Sequence, residues 1–85
     1  MFTLNYHPDA KAGIISIPAN MKARIRKAIE NRLTTAPDKY GKPLSGSLSG
    51  HRRLRVGDYR VIYRVVGDIV RILEIAYRGN VSHYD

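Results

Sequence analysis

Apolar and polar residues alternate from Phe2 to Tyr6, with Phe2, Leu4 and Tyr6 on one side, and this predicts a short strand. His7-Pro8-Asp9 follows. Pro8 suits the first helical position and Asp9 the positive end of a helix dipole, so a short helix is expected, ending near Ser16. Pro18 restarts a second helix running to about Thr35. Its apolar residues Met21, Ile25, Ala28, Ile29 and Leu33 make one buried stripe, while Lys22, Arg24, Arg26, Lys27 and Arg32 fill the other face. Pro37 stops this helix. Residues 37–50, rich in Gly, Ser and Pro, read as a connector. Gly46 and Gly50 do not make a phosphate loop there, because the Gly-Lys-Ser/Thr ending and a preceding strand are both missing.

The pattern changes at residue 51. Gly57-Asp58 and Gly67-Asp68 each separate two β-rich runs, and Gly at the first central position predicts a type II′ hairpin turn. Three antiparallel strands follow, at 51–56, 59–66 and 69–77. The element order β-α-α-β-β-β predicts an α+β fold: one domain over residues 1–85, a small antiparallel sheet with two N-terminal helices packed on one face.

Two-residue turns also set the register. Val56 then faces Tyr59, Arg55 faces Arg60, Leu54 faces Val61, Arg53 faces Ile62 and His51 faces Arg64. Across the second turn Arg64 faces Arg71 and Tyr63 faces Ile72. One side of the sheet is expected to carry Leu54, Val56, Tyr59, Val61, Tyr63, Val65, Val70 and Ile72, with Arg52 and Glu74 as its polar exceptions. The other carries His51, Arg53, Arg55, Arg60, Arg64 and Arg71, with Ile62, Leu73 and Ile75 between them. Like charges directly opposite on a sheet are destabilising, so this face calls for an anion.

Composition agrees. Fifteen Lys and Arg against seven Asp and Glu give a net charge of +8 on 85 residues. Such an excess points to nucleic acid, an anionic surface or an acidic protein partner. The 44% hydrophobic content is too high for a disordered basic tail. All five lysines fall in residues 1–42, but seven of ten arginines fall in residues 51–78. Arginine binds phosphate bidentately and stacks on bases, so the sheet suits phosphates or an acidic partner's carboxylates, and RNA fits. Cysteine is absent, which excludes disulfides and thiol chemistry. No membrane span or secretory signal is read, and a cytoplasmic location is expected.

The scattered acids and the three histidines show no ligand spacing, so no metal and no small-molecule cofactor are expected. One metal-free reaction needs only what is present: RNA cut by its own 2′-OH attacking the adjacent phosphorus. Arginines would stabilise the added charge, and His51, with a reference pKa of about 6.5, is a natural proton shuttle. A tyrosine such as Tyr84 would serve if neighbouring guanidiniums lowered its pKa.

The stretch Leu44 to Tyr63 (LSGSLSGHRRLRVGDYRVIY) resembles the central motif of the RelE/ParE toxin superfamily. Ile75-Ala76-Tyr77-Arg78 and Val81-Ser82-His83-Tyr84 resemble the C-terminal part of its RelE branch. The resemblance implies the toxin of a type II toxin–antitoxin pair that cuts mRNA on the ribosome and is held inactive by a cognate antitoxin. Carried over by position, it implies a catalytic set of His51, Arg53, Arg60, Arg78 and Tyr84, with RNA-binding support from Arg55, Arg64 and Arg71. Arg60 would stabilise the phosphorane with help from Arg53 and Arg78. Tyr84 would take the 2′-OH proton, and His51 would act as base or acid. The RelE pattern commonly has lysines where this chain has His51 and Arg53. The alternative implied is a ParE-like, non-enzymatic inhibitor of DNA gyrase.

Overall fold

In the computed structural model, which describes residues 1–79, the chain runs β1 (Thr3–Tyr6), α1 (Pro8–Ile15), α2 (Ala19–Ala28), β2 (Lys42–Pro43), β3 (His51–Val56), β4 (Tyr59–Val66) and β5 (Ile69–Tyr77). The strands form one sheet in the order β1-β5-β4-β3-β2. Both hairpins form as the Gly-Asp pairs predict. Gly57 and Gly67 have φ of 59° and 61° and no described non-glycine residue has positive φ, which is the type II′ pattern. The predicted pairs of β3 with β4 are all present, as are Arg64 with Arg71 and Tyr63 with Ile72.

The sheet is mixed rather than purely antiparallel. β1 lies parallel to β5 on its outer edge, from Thr3 opposite Ile69 to Tyr6 opposite Ile72. Direction cannot be read from an alternation of four residues, because both senses bury the same side. The connector also contributes: Lys42 and Pro43 pair with Arg53 and Arg52 as a two-residue edge strand, where proline's missing N–H costs no ladder bond.

α1 begins where expected, with the His7 ring accepting from the Asp9 amide at 3.1 Å. It approaches β5 closely at Gly13, where a Cβ would stand 2.1 Å from the Ile75 carbonyl oxygen. The second helix is regular only to Ala28 and then widens into a π-helical turn over Ile29–Leu33. The wider turn keeps Ile29 and Leu33 in the core together with Ile25. Both helices cover one side of the sheet, against Leu54, Val56, Val61, Tyr63, Val70, Ile72 and Ile75.

That list contains one correction. Tyr63 pairs with Ile72 but Ile62 pairs with Glu74, so Leu73 is an extra residue, a β-bulge. Facing reverses beyond it. Ile75, expected among the arginines, is 1% exposed in the core, and Glu74, expected on the apolar side, joins the basic face. Uninterrupted alternation assigned the two residues the other way round because Ile-Leu-Glu-Ile carries no mark of an insertion.

The connector is tied down from the sheet. Tyr63, wholly buried, donates through its hydroxyl to the Pro37 carbonyl at 2.6 Å and accepts from the Gly41 amide at 3.1 Å. Arg52, its cross-strand neighbour, donates to the Gly41 carbonyl at 2.6 Å. Among the described residues, no helix is long and apolar enough to cross a membrane.

Candidate nucleic-acid interface

The sheet face away from the helices carries its cations in three rows set by the register. His51, Arg64 and Arg71 lie side by side across β3, β4 and β5. The next row is Lys42, Arg53, Ile62 and Glu74. The third is Arg55, Arg60 and Ala76. Arg55, Arg64 and Arg71 are exposed, and His51 and Arg53 half-buried. Ile62 is fully buried in the midst of this charged face. Long arginine and lysine stems can cover such apolar surface while their charged ends reach water.

His51 Nδ1 lies 3.2 Å from the Leu48 carbonyl oxygen. A carbonyl only accepts, so this contact assigns the proton to Nδ1 and leaves Nε2 as the basic nitrogen of the neutral ring. The 3₁₀ turn at Gly46–Leu48 presents that carbonyl, and the Leu44 amide bonded to the His51 carbonyl at 2.9 Å holds the segment against β3.

Arg60 occupies a different setting from the other arginines. It is 3% exposed, and its Nε donates to Glu74 Oε1 at 3.1 Å. Its Nη1 donates to the carbonyl oxygens of Tyr77 at 3.3 Å and Arg78 at 3.1 Å. The guanidinium thus fastens β4 to the end of β5, with its charge met by a carboxylate. Arg78 follows directly. Its amide donates to the Asp58 carbonyl at 2.9 Å, and its side chain, largely exposed, pairs with the Asp58 carboxylate at 3.5 Å. An exposed pair of this kind is readily exchanged for another anion. Of the expected set, the structure therefore groups His51, Arg53, Arg55, Arg64 and Arg71 on one face, with Arg60 beneath it and Arg78 at the strand end. Tyr84 lies outside the described residues.

Sequence reasoning missed two members. Lys42 joins the face through the two-residue strand, for which its charge was the only signal. Glu74 was placed on the wrong side by the bulge. Together the arrangement offers several phosphate-binding guanidiniums beside one imidazole.

A two-helix α+β fold with such a face defines a small, basic anion-binding domain, and comparison with known proteins supplies the family. The model described as "ParE toxin of type II toxin-antitoxin system, parDE" matches residues 4–81, and the chain belongs to that family. It is 27% identical over 82 residues to Toxin RelG of Mycobacterium tuberculosis, covering 94% of each chain. Among solved structures it superposes on a chain of the RelBE2 toxin–antitoxin complex of the same organism, with a TM-score of 0.85 and 28% identity over 91% of this chain and 98% of that one. The isolated E. coli RelE toxin shares the fold at 12% identity, with a TM-score of 0.77 over 99% of this chain and 92% of that one. The P. aeruginosa ParDE system shares it at 20%, with 0.69 over 91% and 96%. The protein is a type II toxin of the RelE/ParE superfamily.

Proposed function

We propose that this toxin is a ribosome-dependent, metal-independent mRNA endoribonuclease, held inactive by an acidic cognate antitoxin. The observation that carries the reading is His51 in register with Arg64 and Arg71, its Nε2 assigned as the basic nitrogen by the Leu48 contact. In the reaction the 2′-OH gives its proton to a base as O2′ bonds to phosphorus. The bond from phosphorus to O5′ then breaks, and the departing oxygen takes a proton, leaving a 2′,3′-cyclic phosphate and a 5′-hydroxyl. His51 and Tyr84 are the candidates for the two proton transfers. Arg53, with Arg55, Arg64 and Arg71, holds phosphates, and Arg78 exchanges Asp58 for the substrate anion. Arg60 acts as a positioning residue, holding the strand end from which Arg78 projects. Similarity to the RelG and RelBE2 toxins supports this reading, and the RelBE2 structure is itself a toxin–antitoxin complex.

With so open a face, substrate positioning falls to the ribosome, and positioning is a large part of the barrier for an intramolecular attack. The test is primer extension on a reporter mRNA in a translating extract. Wild-type protein is expected to cut it, and His51→Ala or Arg53→Ala to slow cutting by roughly 10²-fold or more with the fold retained. An uncut reporter with wild-type toxin overturns the reading. A second reading, non-enzymatic inhibition of DNA gyrase, is favoured by the family model and by the pairing of Arg60 with Glu74. It predicts blocked supercoiling by purified gyrase together with uncut mRNA.

A further inference from the structure

A second cationic surface lies apart from the sheet face. Between α2 and the β3 edge runs a groove of about 280 Å³ lined by Arg24, Lys27, Asn31, Arg32, Arg55 and Gly57, with Ala28 and Val56 at its base. Four of these residues are cations and none is an acid. None of the four forms an ion pair with a carboxylate among the described residues. The groove exists because β2 pairs only with Arg52 and Arg53, leaving the end of β3 without a neighbour on that side. Gly57 shapes its end: a Cβ there would meet Arg24 Nη1 at 3.4 Å and Met21 Cε at 3.2 Å.

Four cations held together without counter-ions repel one another, and an anion with several charges relieves that cost. The surroundings select which anion. An acidic amphipathic helix needs an apolar floor, and the isoleucine-lined cavity of about 350 Å³ between α1 and α2 offers one. The groove at β3 offers instead an amide at Asn31, and just outside its lining the Tyr40 ring lies against Arg32. That ring is 46% exposed and lies 5.8 Å from the Arg32 guanidinium. Guanidiniums for phosphates and an open aromatic for a base are what a single strand of nucleic acid uses.

We propose that this groove binds the phosphodiester backbone of single-stranded RNA, as a contact separate from the cutting face and joined to it through Arg55. The proposal goes beyond the cleavage reading and does not depend on it.

The test uses a fluorescent 2′-O-methyl oligoribonucleotide, which has no free 2′-OH and cannot be cut. Its affinity for the full-length protein is measured by anisotropy across a salt series. The triple variant Arg24→Gln, Lys27→Gln, Arg32→Gln, which leaves the cutting face intact, is expected to bind at least about tenfold more weakly, with the salt slope shallower by about 2, given roughly 0.7 per phosphate contact on a single strand. The matched variant Lys11→Gln, Lys22→Gln, Arg26→Gln, with the same charge change around the isoleucine-lined cavity, is expected to lose much less. Equal losses would mean general attraction to net charge and overturn the proposal. Poly-L-glutamate losing as much affinity for the groove variant as the oligonucleotide would make the site one for acidic protein and overturn it too. Inorganic tripolyphosphate binding as tightly as the oligonucleotide would assign the groove to a free polyphosphate, against an RNA backbone. Circular dichroism checks that both variants fold, since all the groove residues replaced are exposed.

Discussion

Tyr63 joins the sheet to the connector through one oxygen, and its chemistry predicts how stability responds to alkali. Burial pushes its phenol above the ordinary value of 10.0, with Asp38 adding to the rise and Arg52 opposing it. Tyr6 is raised in the same direction, by burial and then by Glu30. A raised folded-state value means the native protein keeps a proton that the unfolded chain has released. Stability from these groups is therefore intact below about pH 10 and falls as pH rises through the folded values. Urea denaturation from pH 8 to 11 should show that decline, shallower in Tyr63→Phe. At neutral pH the same variant should lose about 1–3 kcal/mol, because the Gly41 amide and the Pro37 carbonyl lose their partner. Arg60 gives a second prediction. Arg60→Ala removes the guanidinium from a buried carboxylate and should cost about 3–5 kcal/mol, while Arg60→Met with Glu74→Leu should recover much of it in thermal melts. The motif made Arg60 visible in the sequence. Its role as a fastener was not visible, because it depends on a partner fourteen residues away whose facing is set by the bulge.

Between whole elements, the packing of α1 on β5 rests on one missing methyl. Gly13→Ala would drive a Cβ into the Ile75 carbonyl, pushing helix and strand apart. A loss of about 1–3 kcal/mol is expected in equilibrium unfolding, with faster amide exchange concentrated in β5. The hairpins were legible because a two-residue turn is a local rule: Gly57 and Gly67 dictated partners for residues up to seven positions away. The helical stripe was equally legible through Ile25, Ile29 and Leu33. What escaped was non-local or too short to repeat. β1 chose its direction by where the helical hairpin returns the chain. β2 is two residues long and contains a proline. The widening after Ala28 keeps the same residues buried, so the apolar pattern does not register it.

At the scale of the molecule, much of the +8 charge gathers on two surfaces, a sheet face and a groove, meeting at Arg55. The opposed pair Arg64 and Arg71 makes the sheet face a place of mutual repulsion that a bound polyanion relieves. The melting temperature should therefore climb with added 2′-O-methyl oligoribonucleotide, by about 2.7 kcal/mol of stabilisation at a hundred times the dissociation constant. Raising the salt should reverse much of the gain. Scanning fluorimetry measures both. An unchanged melting temperature would mean that these arginines carry no anion.

The extra residue in β5 has a consequence for how such a chain can change over generations. Substitutions along this strand alter one contact each. Loss of the single codon for Leu73 would only close the bulge, leaving Ile72 next to Glu74, with Glu74 still opposite Ile62, Ile75 still opposite Val61 and Arg60 still on its carboxylate. β5 can thus give up one residue without turning over, whereas β4, paired to β3 without a break, cannot. A deletion scan read out by soluble expression should find Leu73 dispensable, while loss of Val61 or Ile62 in β4 is not tolerated.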